Sequence, residues 1–259
     1  MAEDLFSVAG KRVFISGGGA GIGRMITEGL AERGARIFTV SRKKQVLQEL
    51  AEELKGKRGF DVRAEPANLA NDAEVQKAVS LASDHFGGAL DILINNSGAT
   101  WGAPLDQFPV DGWDKVFQIN VRALFLLSQK CLPLLRKSAR PEDPARIINI
   151  GSISGIEYPT DNAWSYHPAK AAVHPLTGTM AKALAAENIT VNCIAPGLFP
   201  TRMTAFLMPG GDDSLAASAI PLKRVGRPTD IVGTVLYLAG RAGAFTTGAL
   251  IKVDGGSAL

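Results

Sequence analysis

The sequence predicts one α/β domain over residues 1–259: a doubly wound parallel sheet with helices on both faces. Three observations carry this. Strand-like and helix-like segments alternate from end to end, the pattern of βαβ units. The runs at 92–94 and 147–150 are almost wholly apolar, as strands covered on both faces must be. A glycine run, Ser16-Gly-Gly-Gly-Ala-Gly-Ile-Gly23, lies between the first strand and the first helix.

The elements follow in order. Residues 12–16 form an apolar strand that enters the glycines directly. Residues 23–33 carry Met25, Ile26, Leu30 and Ala31 at helical spacing. Residues 35–40 are a second strand. Residues 43–54 are an amphipathic helix with Val46, Leu47, Leu50 and Leu54 on one face. A third strand, 62–65, precedes a helix that Asp72 caps and that runs to Phe86. Residues 91–95 are the fourth strand, and 113–135 are one long helix or two joined ones. Pro141 and Pro144 break the chain before the strand 146–150. Residues 165–186 are helical, 189–194 a strand, 231–239 a helix and 250–253 the last strand. Residues 197–226 have no clean period and hold Pro200, Pro209, Gly210, Gly211 and Pro221. Irregular segments of that length are usually lids or binding loops. A substrate lid over about 198–226 is therefore expected, the alternative being a disordered insertion.

Composition narrows the function classes. The 259 residues are 46% hydrophobic and 20% charged, an ordinary globular balance that excludes disordered, collagenous and disulfide-scaffold proteins. A net charge of +3, spread along the chain, argues against nucleic acid or an anionic membrane as partner. Cys131 and Cys193 sit in apolar runs and read as buried free thiols of a reducing compartment. No apolar run reaches the length of a membrane span, and no secretory signal is read at the N-terminus, so a cytoplasmic protein is expected.

The glycine run follows G-x-x-x-G-x-G at Gly17, Gly21 and Gly23. Such glycines allow a tight turn and let the backbone approach a pyrophosphate resting on a helix N-terminus. A structural turn is the alternative. The second strand ends Val40-Ser41-Arg42-Lys43-Lys44, without the acid that would meet a ribose 2′-hydroxyl. A hydroxyl followed by basic residues suits a 2′-phosphate, which Arg clamps bidentately. The cofactor read from Ser41 and Arg42 is NADP(H). A solvated charge run is the other reading.

Tyr166-His-Pro-Ala-Lys170 puts Tyr and Lys four apart on one helix face. Pro168 suits the first turn. A nearby ammonium lowers a phenol's pKa, so the pair would exchange a proton with a hydroxyl or carbonyl. Ser152 adds a hydroxyl just past a strand's carboxyl end, where ligands bind in open α/β sheets.

Taken together these residues resemble the short-chain dehydrogenase/reductase family over nearly the whole chain. The marks are Gly17, Gly21 and Gly23, Asn95-Asn-Ser-Gly98, Asn120, Ser152, Tyr166 with Lys170, Pro196-Gly197 with Thr201, and Val253-Asp-Gly-Gly256. The resemblance implies a Rossmann-like NADP-dependent oxidoreductase that interconverts a ketone and a secondary alcohol. It implies that Tyr166 is the general acid in carbonyl reduction and that Lys170 bonds the nicotinamide ribose and depresses the Tyr166 pKa. Ser152 would polarise the carbonyl, and Asn120 would hold a water in a proton relay behind Lys170. Gly19, Ile22, Asn68, Leu69, Asn96, Ser97 and Gly98 would line the cofactor, the last three along its adenosine side. Pro196 and Gly197 would pack by the nicotinamide, with Thr201 near its carboxamide or the phosphates. A homotetramer is also implied.

Within the family the chain is most similar to NADPH-dependent 3-oxoacyl reductases of the rhamnolipid-synthesis type and their fungal relatives. The similar stretches are Trp101-Gly-Ala-Pro, Gly112-Trp-Asp-Lys-Val-Phe-Gln-Ile-Asn120, Pro133-Leu-Leu-Arg-Lys-Ser, Pro144-Ala-Arg-Ile-Ile-Asn-Ile-Gly-Ser152 and Pro200-Thr-Arg-Met-Thr204. Reduction of a 3-oxoacyl or similar β-keto substrate is the expected activity. A dehydrogenase of a polyol, steroid or other secondary alcohol is the alternative, and a non-catalytic nucleotide sensor the remote one. The chain departs from the family at Ser97, at Asn68 where Asp often stands, at Ala169, and at Ala20 where NADP-preferring members often carry a basic residue.

Trp101, Tyr158, Trp164, Phe199, Met203 and Phe206 flank the catalytic positions and are expected to form an apolar substrate wall, the alternative for each being core or loop packing. His85, His167 and His174 have no metal spacing, so no metal is expected. His167 reads as a surface residue at a helix start, or as a pocket liner; His174 reads as structural. The terminal Ser257-Ala-Leu259 lacks the basic middle residue of a peroxisomal signal.

Overall fold

Among the described residues, seven parallel strands form one sheet in the order β3-β2-β1-β4-β5-β6-β7. The structure is a computed structural model describing residues 4–57, 59–157 and 161–259. The strands are β1 Arg12–Ser16, β2 Arg36–Ser41, β3 Val62–Pro66, β4 Ile92–Asn95, β5 Ala145–Ile150, β6 Ile189–Pro196 and β7 Leu250–Val253. Strand order reverses between β1 and β4, which pair Val13 with Ile92 and Ser16 with Asn95. That reversal leaves a crevice beyond their carboxyl ends, the ligand position of open α/β sheets.

The helices divide between the faces. α1 (Gly21–Ala31), α2 (Lys44–Ala51) and α8 (Pro228–Ala239) bury Ile26, Leu30, Leu50, Ile231 and Val235 against one face. α3 (Asp72–Phe86), α5 (Ala123–Ser138) and α6 (Tyr166–Leu184) bury Val75, Leu127, Leu135 and Leu184 against the other. Each such side chain contributes about 1.5–3 kcal/mol. Phe14 meets Phe38 edge-on across β1 and β2, with ring centroids 5.0 Å apart. This doubly wound arrangement is the one the alternation predicts.

Several local expectations shift. The cap of α3 is Asn71, not Asp72: its side chain accepts from the Ala73 and Glu74 N–H groups. Asp72 is the first helical residue and pairs with Arg122 at 2.7 Å. The 43–54 helix is α2 followed by a π turn, Glu52–Lys57. The 113–135 helix starts earlier, as α4 (Val110–Phe117), and continues into α5 through a π turn, Gln118–Arg122. Residues 197–226 hold single 3₁₀ turns at Ala205–Leu207 and Pro209–Gly211 and a short helix, α7 (Ser214–Ala219). Among the described residues, no helix is long and apolar enough to cross a membrane.

Candidate active site

The glycine loop turns between β1 and α1. Gly17 and Gly21 adopt φ of +71° and +54°, a region that favours glycine. A Cβ on Gly23 would stand 2.2 Å from the Gly17 carbonyl oxygen, so the turn closes only around hydrogen. Ala20 caps α1 without a side-chain bond, and the first turn holds no acid. The N–H groups at that end therefore remain available to an anion. Ile22 packs against the core, and Thr201 places its methyl over Gly21. The Ser41 hydroxyl lies near Gly19, while Arg42 beside it is exposed. An uncapped helix start, a cradle that side chains would fill and an exposed guanidinium suit a dinucleotide carrying an extra phosphate.

Residues not singled out in the sequence hold this loop. Thr39 accepts from the Gly18 N–H, and Thr27 donates to the Gly18 carbonyl. Ser16 Oγ accepts from the Asn96 and Ser97 N–H groups. The only sequence signal for these was a hydroxyl inside an otherwise apolar strand or helix. The Asn96 amide donates to the Ser16 and Gly17 carbonyls, so it braces the loop. Leu69 is buried in the core, leaving only its backbone for a ligand. Asn68 accepts from the Ala70 N–H through Oδ1.

The catalytic candidates converge behind β5. Ser152 follows the strand in extended backbone and accepts from the Ser154 N–H at 3.1 Å. Tyr166 opens α6, and Lys170 lies one turn on, its Nζ 5.9 Å from the phenol ring centroid. Lys170 is buried and donates to the Ile150 carbonyl at 2.8 Å. Burial pushes its ammonium down to about 8. Burial raises the Tyr166 phenol, the Ser152 hydroxyl lowers it, and the charge of Asp161 raises it again, for a net upward shift. The net shift of Tyr166 is thus upward, set by desolvation, and the group that lowers the phenol is Ser152, not the Lys170 expected from the sequence. Asn120 sits in the π turn, a common feature of functional sites. Its amide bonds the Ala99 N–H and carbonyl, so the side chain holds the loop at Gly98 and Ala99. Gly98 passes close by: a Cβ there would meet Asn120 Oδ1 at 3.2 Å and Lys170 Nζ at 3.8 Å.

Pro196 ends β6. Gly197 is obligatory because a Cβ would stand 2.7 Å from Asp254 Cα. On the substrate side the expectation holds unevenly. Phe199 is 1% exposed and packs its ring over Gly226 in the core, so it offers almost no surface to a substrate. Trp101 is half-buried against Gly112, with Lys115 Nζ 4.9 Å from its ring centroid. Trp164 donates to the Ala103 carbonyl at 3.0 Å. Met203 and Phe206 are exposed, Phe206 by 77%. Tyr158 lies outside the described residues. His174 packs its ring against Gly151 and Gly155, on either side of Ser152.

Residues 17–258 match the family model described as Enoyl-(Acyl carrier protein) reductase. The chain is 45% identical over 252 residues to the rhamnolipids biosynthesis 3-oxoacyl-[acyl-carrier-protein] reductase of Pseudomonas aeruginosa, covering 97% of each chain. It is 35% identical over 261 residues to a 5-keto-D-gluconate 5-reductase of Escherichia coli, covering 98% of each. Its fold matches the Pseudomonas aeruginosa RhlG/NADP active-site complex with a TM-score of 0.93 at 43% identity, covering 99% of this chain and 100% of that one. The chain belongs to the short-chain dehydrogenase/reductase family of oxidoreductases.

Proposed function

We propose that the chain is an NADP(H)-dependent reductase that converts a 3-oxoacyl or similar β-keto substrate to the secondary alcohol. The observation that carries this reading is the meeting of Ser152, Tyr166 and Lys170 at the carboxyl end of β5, beside an uncapped glycine loop. When bound, the nicotinamide supplies the hydride. Ser152 hydrogen-bonds the substrate carbonyl oxygen. Tyr166 donates its phenolic proton to that oxygen as the O–H bond forms, and Lys170 stabilises the phenolate left behind. Lys170 also takes the ribose hydroxyls. The phenol holds its proton at neutral pH, as a proton donor must, and the Ser152 hydroxyl bond that lowers it works against the upward push of burial. Arg42 with Ser41 takes the 2′-phosphate. Gly17, Gly19, Gly21, Ile22 and Gly23 cradle the pyrophosphate with Thr201 above them. Asn68, Leu69, Asn96, Ser97 and Gly98 border the adenosine through backbone as much as side chains. Pro196 and Gly197 flank the nicotinamide. Asn120 acts by holding the 96–99 loop.

The same reading makes 198–226 the substrate cover of a single domain, with Met203 and Phe206 supplying apolar surface and Trp101 and Trp164 the opposite side. The assembly is a homo-oligomer, a tetramer by family resemblance. Exposed Val110, Trp113 and Phe125 on α4 and α5 support contact between copies, as do Phe245 and Leu259 near the C-terminus. Two free buried cysteines support a reducing, cytoplasmic setting.

The test is the oxidation of NADPH and NADH, side by side, with a 3-oxoacyl thioester and with a bulky non-acyl ketone. NADPH-only turnover of the thioester is expected. Turnover of the ketone alone would discard the acyl substrate and keep the chemistry. Equal use of NADH would discard Arg42 as selector.

A further inference from the structure

The turn before α6 and the first turn of that helix carry a pair of residues that the reaction scheme leaves unused. His167 Nε2 lies 2.6 Å from Asp161 Oδ1, which also accepts from the Ala163 N–H at 3.0 Å. The His167 ring stands edge-on to the Tyr166 ring, centroids 5.9 Å apart at 79°. Its side chain is mostly buried, and Nδ1 has no hydrogen-bond partner among the described residues. The turn is fastened on its other side as well: Tyr166 N–H donates to Ala163 O, Ala103 N–H to Asn162 O, and Trp164 Nε1 to Ala103 O. His167 is thus neither a free surface residue nor a bare pocket liner. It ties the 161–164 turn to the first turn of α6, on the side where that turn carries Tyr166.

We propose that His167 and Asp161 form a positioning pair for Tyr166, in which the imidazole, held by the carboxylate, fixes the edge of the phenol ring and so aims its hydroxyl. This rests on the reading of Tyr166 as the proton donor. The charged groups around the phenol are Asp161 from this turn and Lys170 one helical turn on, with the Ser152 hydroxyl across from them. The His167 ring bonds the Asp161 carboxylate whose charge acts on the phenol. The pair therefore sets both the orientation of the phenol and the local field in which it gives up its proton.

The experiment uses the full chain, NADPH and whichever ketone it reduces, with Tyr166→Phe as the control. His167→Phe keeps a ring against Tyr166 but removes the donor to Asp161. A fall in kcat of about fivefold or more is expected, with NADPH affinity, read by fluorescence titration, within about twofold of the parent. His167→Gln restores an N–H that can reach Asp161 and should recover most of the loss. Asp161→Asn keeps an acceptor and removes the charge; the alkaline limb of the kcat profile should move to lower pH by about half a unit or more. Should His167→Phe fail to fold, that pH shift alone decides. Equal losses in the Phe and Gln variants would overturn the proposal, and so would an unmoved alkaline limb in Asp161→Asn. Full turnover by Tyr166→Phe would overturn the proton-donor reading itself. Normal turnover by His167→Phe, with Tyr166→Phe inactive, would overturn only the pair.

Discussion

The side-chain amide of Asn120 closes on the backbone of Ala99 from both sides: Oδ1 accepts from the Ala99 N–H at 2.8 Å, and Nδ2 donates to the Ala99 carbonyl at 2.9 Å. The π turn between α4 and α5 aims the amide there. Asn120 is 2% exposed, so water does not replace these bonds. Asn120→Ala leaves two buried backbone groups unsatisfied, at a cost of about 2 kcal/mol or more. Thermal unfolding should show a Tm lower by roughly 4–8 °C. Activity should fall too, because the 96–99 loop borders Lys170. A variant melting with the parent would mean that the amide bonds do not hold the loop.

Lys170 makes stability depend on pH. Burial lowers its folded-state pKa from 10.5 to about 8. Between those values the unfolded chain binds more protons than the folded one, so stability rises with pH across that window. Below about pH 8 the ammonium is charged in both states and the full burial penalty applies, about 3 kcal/mol. Lys170→Met removes this dependence, while the loss of the bond to Ile150 adds an offset that pH does not change. The stability of the variant relative to the parent should therefore fall as pH rises from 7 to above 10. Denaturant midpoints of both proteins without cofactor, measured at the two ends, test this. A difference that stays flat with pH would contradict a lowered Lys170.

Arg42 should govern cofactor choice. It is exposed at the end of β2, with no ion-pair partner among the described residues. Arg42→Ala removes a charge-assisted contact to the 2′-phosphate, raising the KM for NADPH about tenfold to a hundredfold and leaving that for NADH nearly unchanged. Equal effects on both cofactors would place the 2′-phosphate elsewhere.

Two glycines of the same loop should respond differently. In Gly23→Ala the new methyl would stand 2.2 Å from the Gly17 oxygen and 2.3 Å from Asn96 Nδ2, so the turn must open. In Gly19→Ala it would meet the Val46 and Leu47 side chains at 3.2 and 3.3 Å and the Ser41 hydroxyl at an ordinary 3.8 Å, none of them backbone. NADPH should raise the Tm of Gly19→Ala and fail to raise that of Gly23→Ala. Similar NADPH stabilisation of both would show that the loop does not cradle the cofactor as argued.

The positions where reading and structure parted share a cause. Phe199 stands among the catalytic marks in sequence, yet the absence of a side chain at Gly226 opens a slot that draws its ring into the core. The Asn96 and Asn120 amides, which the sequence associates with cofactor and water, both donate to backbone carbonyls of distant segments. In each case a partner distant in sequence decided the outcome, and no local pattern names that partner.

By itself the sequence determined what local chemistry controls. Apolar period and turn residues set the alternation of strands and helices. Glycines at 17, 21 and 23 set a turn that only they permit, and a four-residue spacing put Tyr166 and Lys170 on one face. The tertiary structure decided what depends on burial and on distant partners. It brought Ser152 to Tyr166, it lowered Lys170 and raised Tyr166 by removing water, and it joined His167 to Asp161 beside the phenol. The physical reason is the same throughout: periodicity and backbone freedom act within a few residues, whereas desolvation and hydrogen-bond pairing exist only once the chain has closed around them.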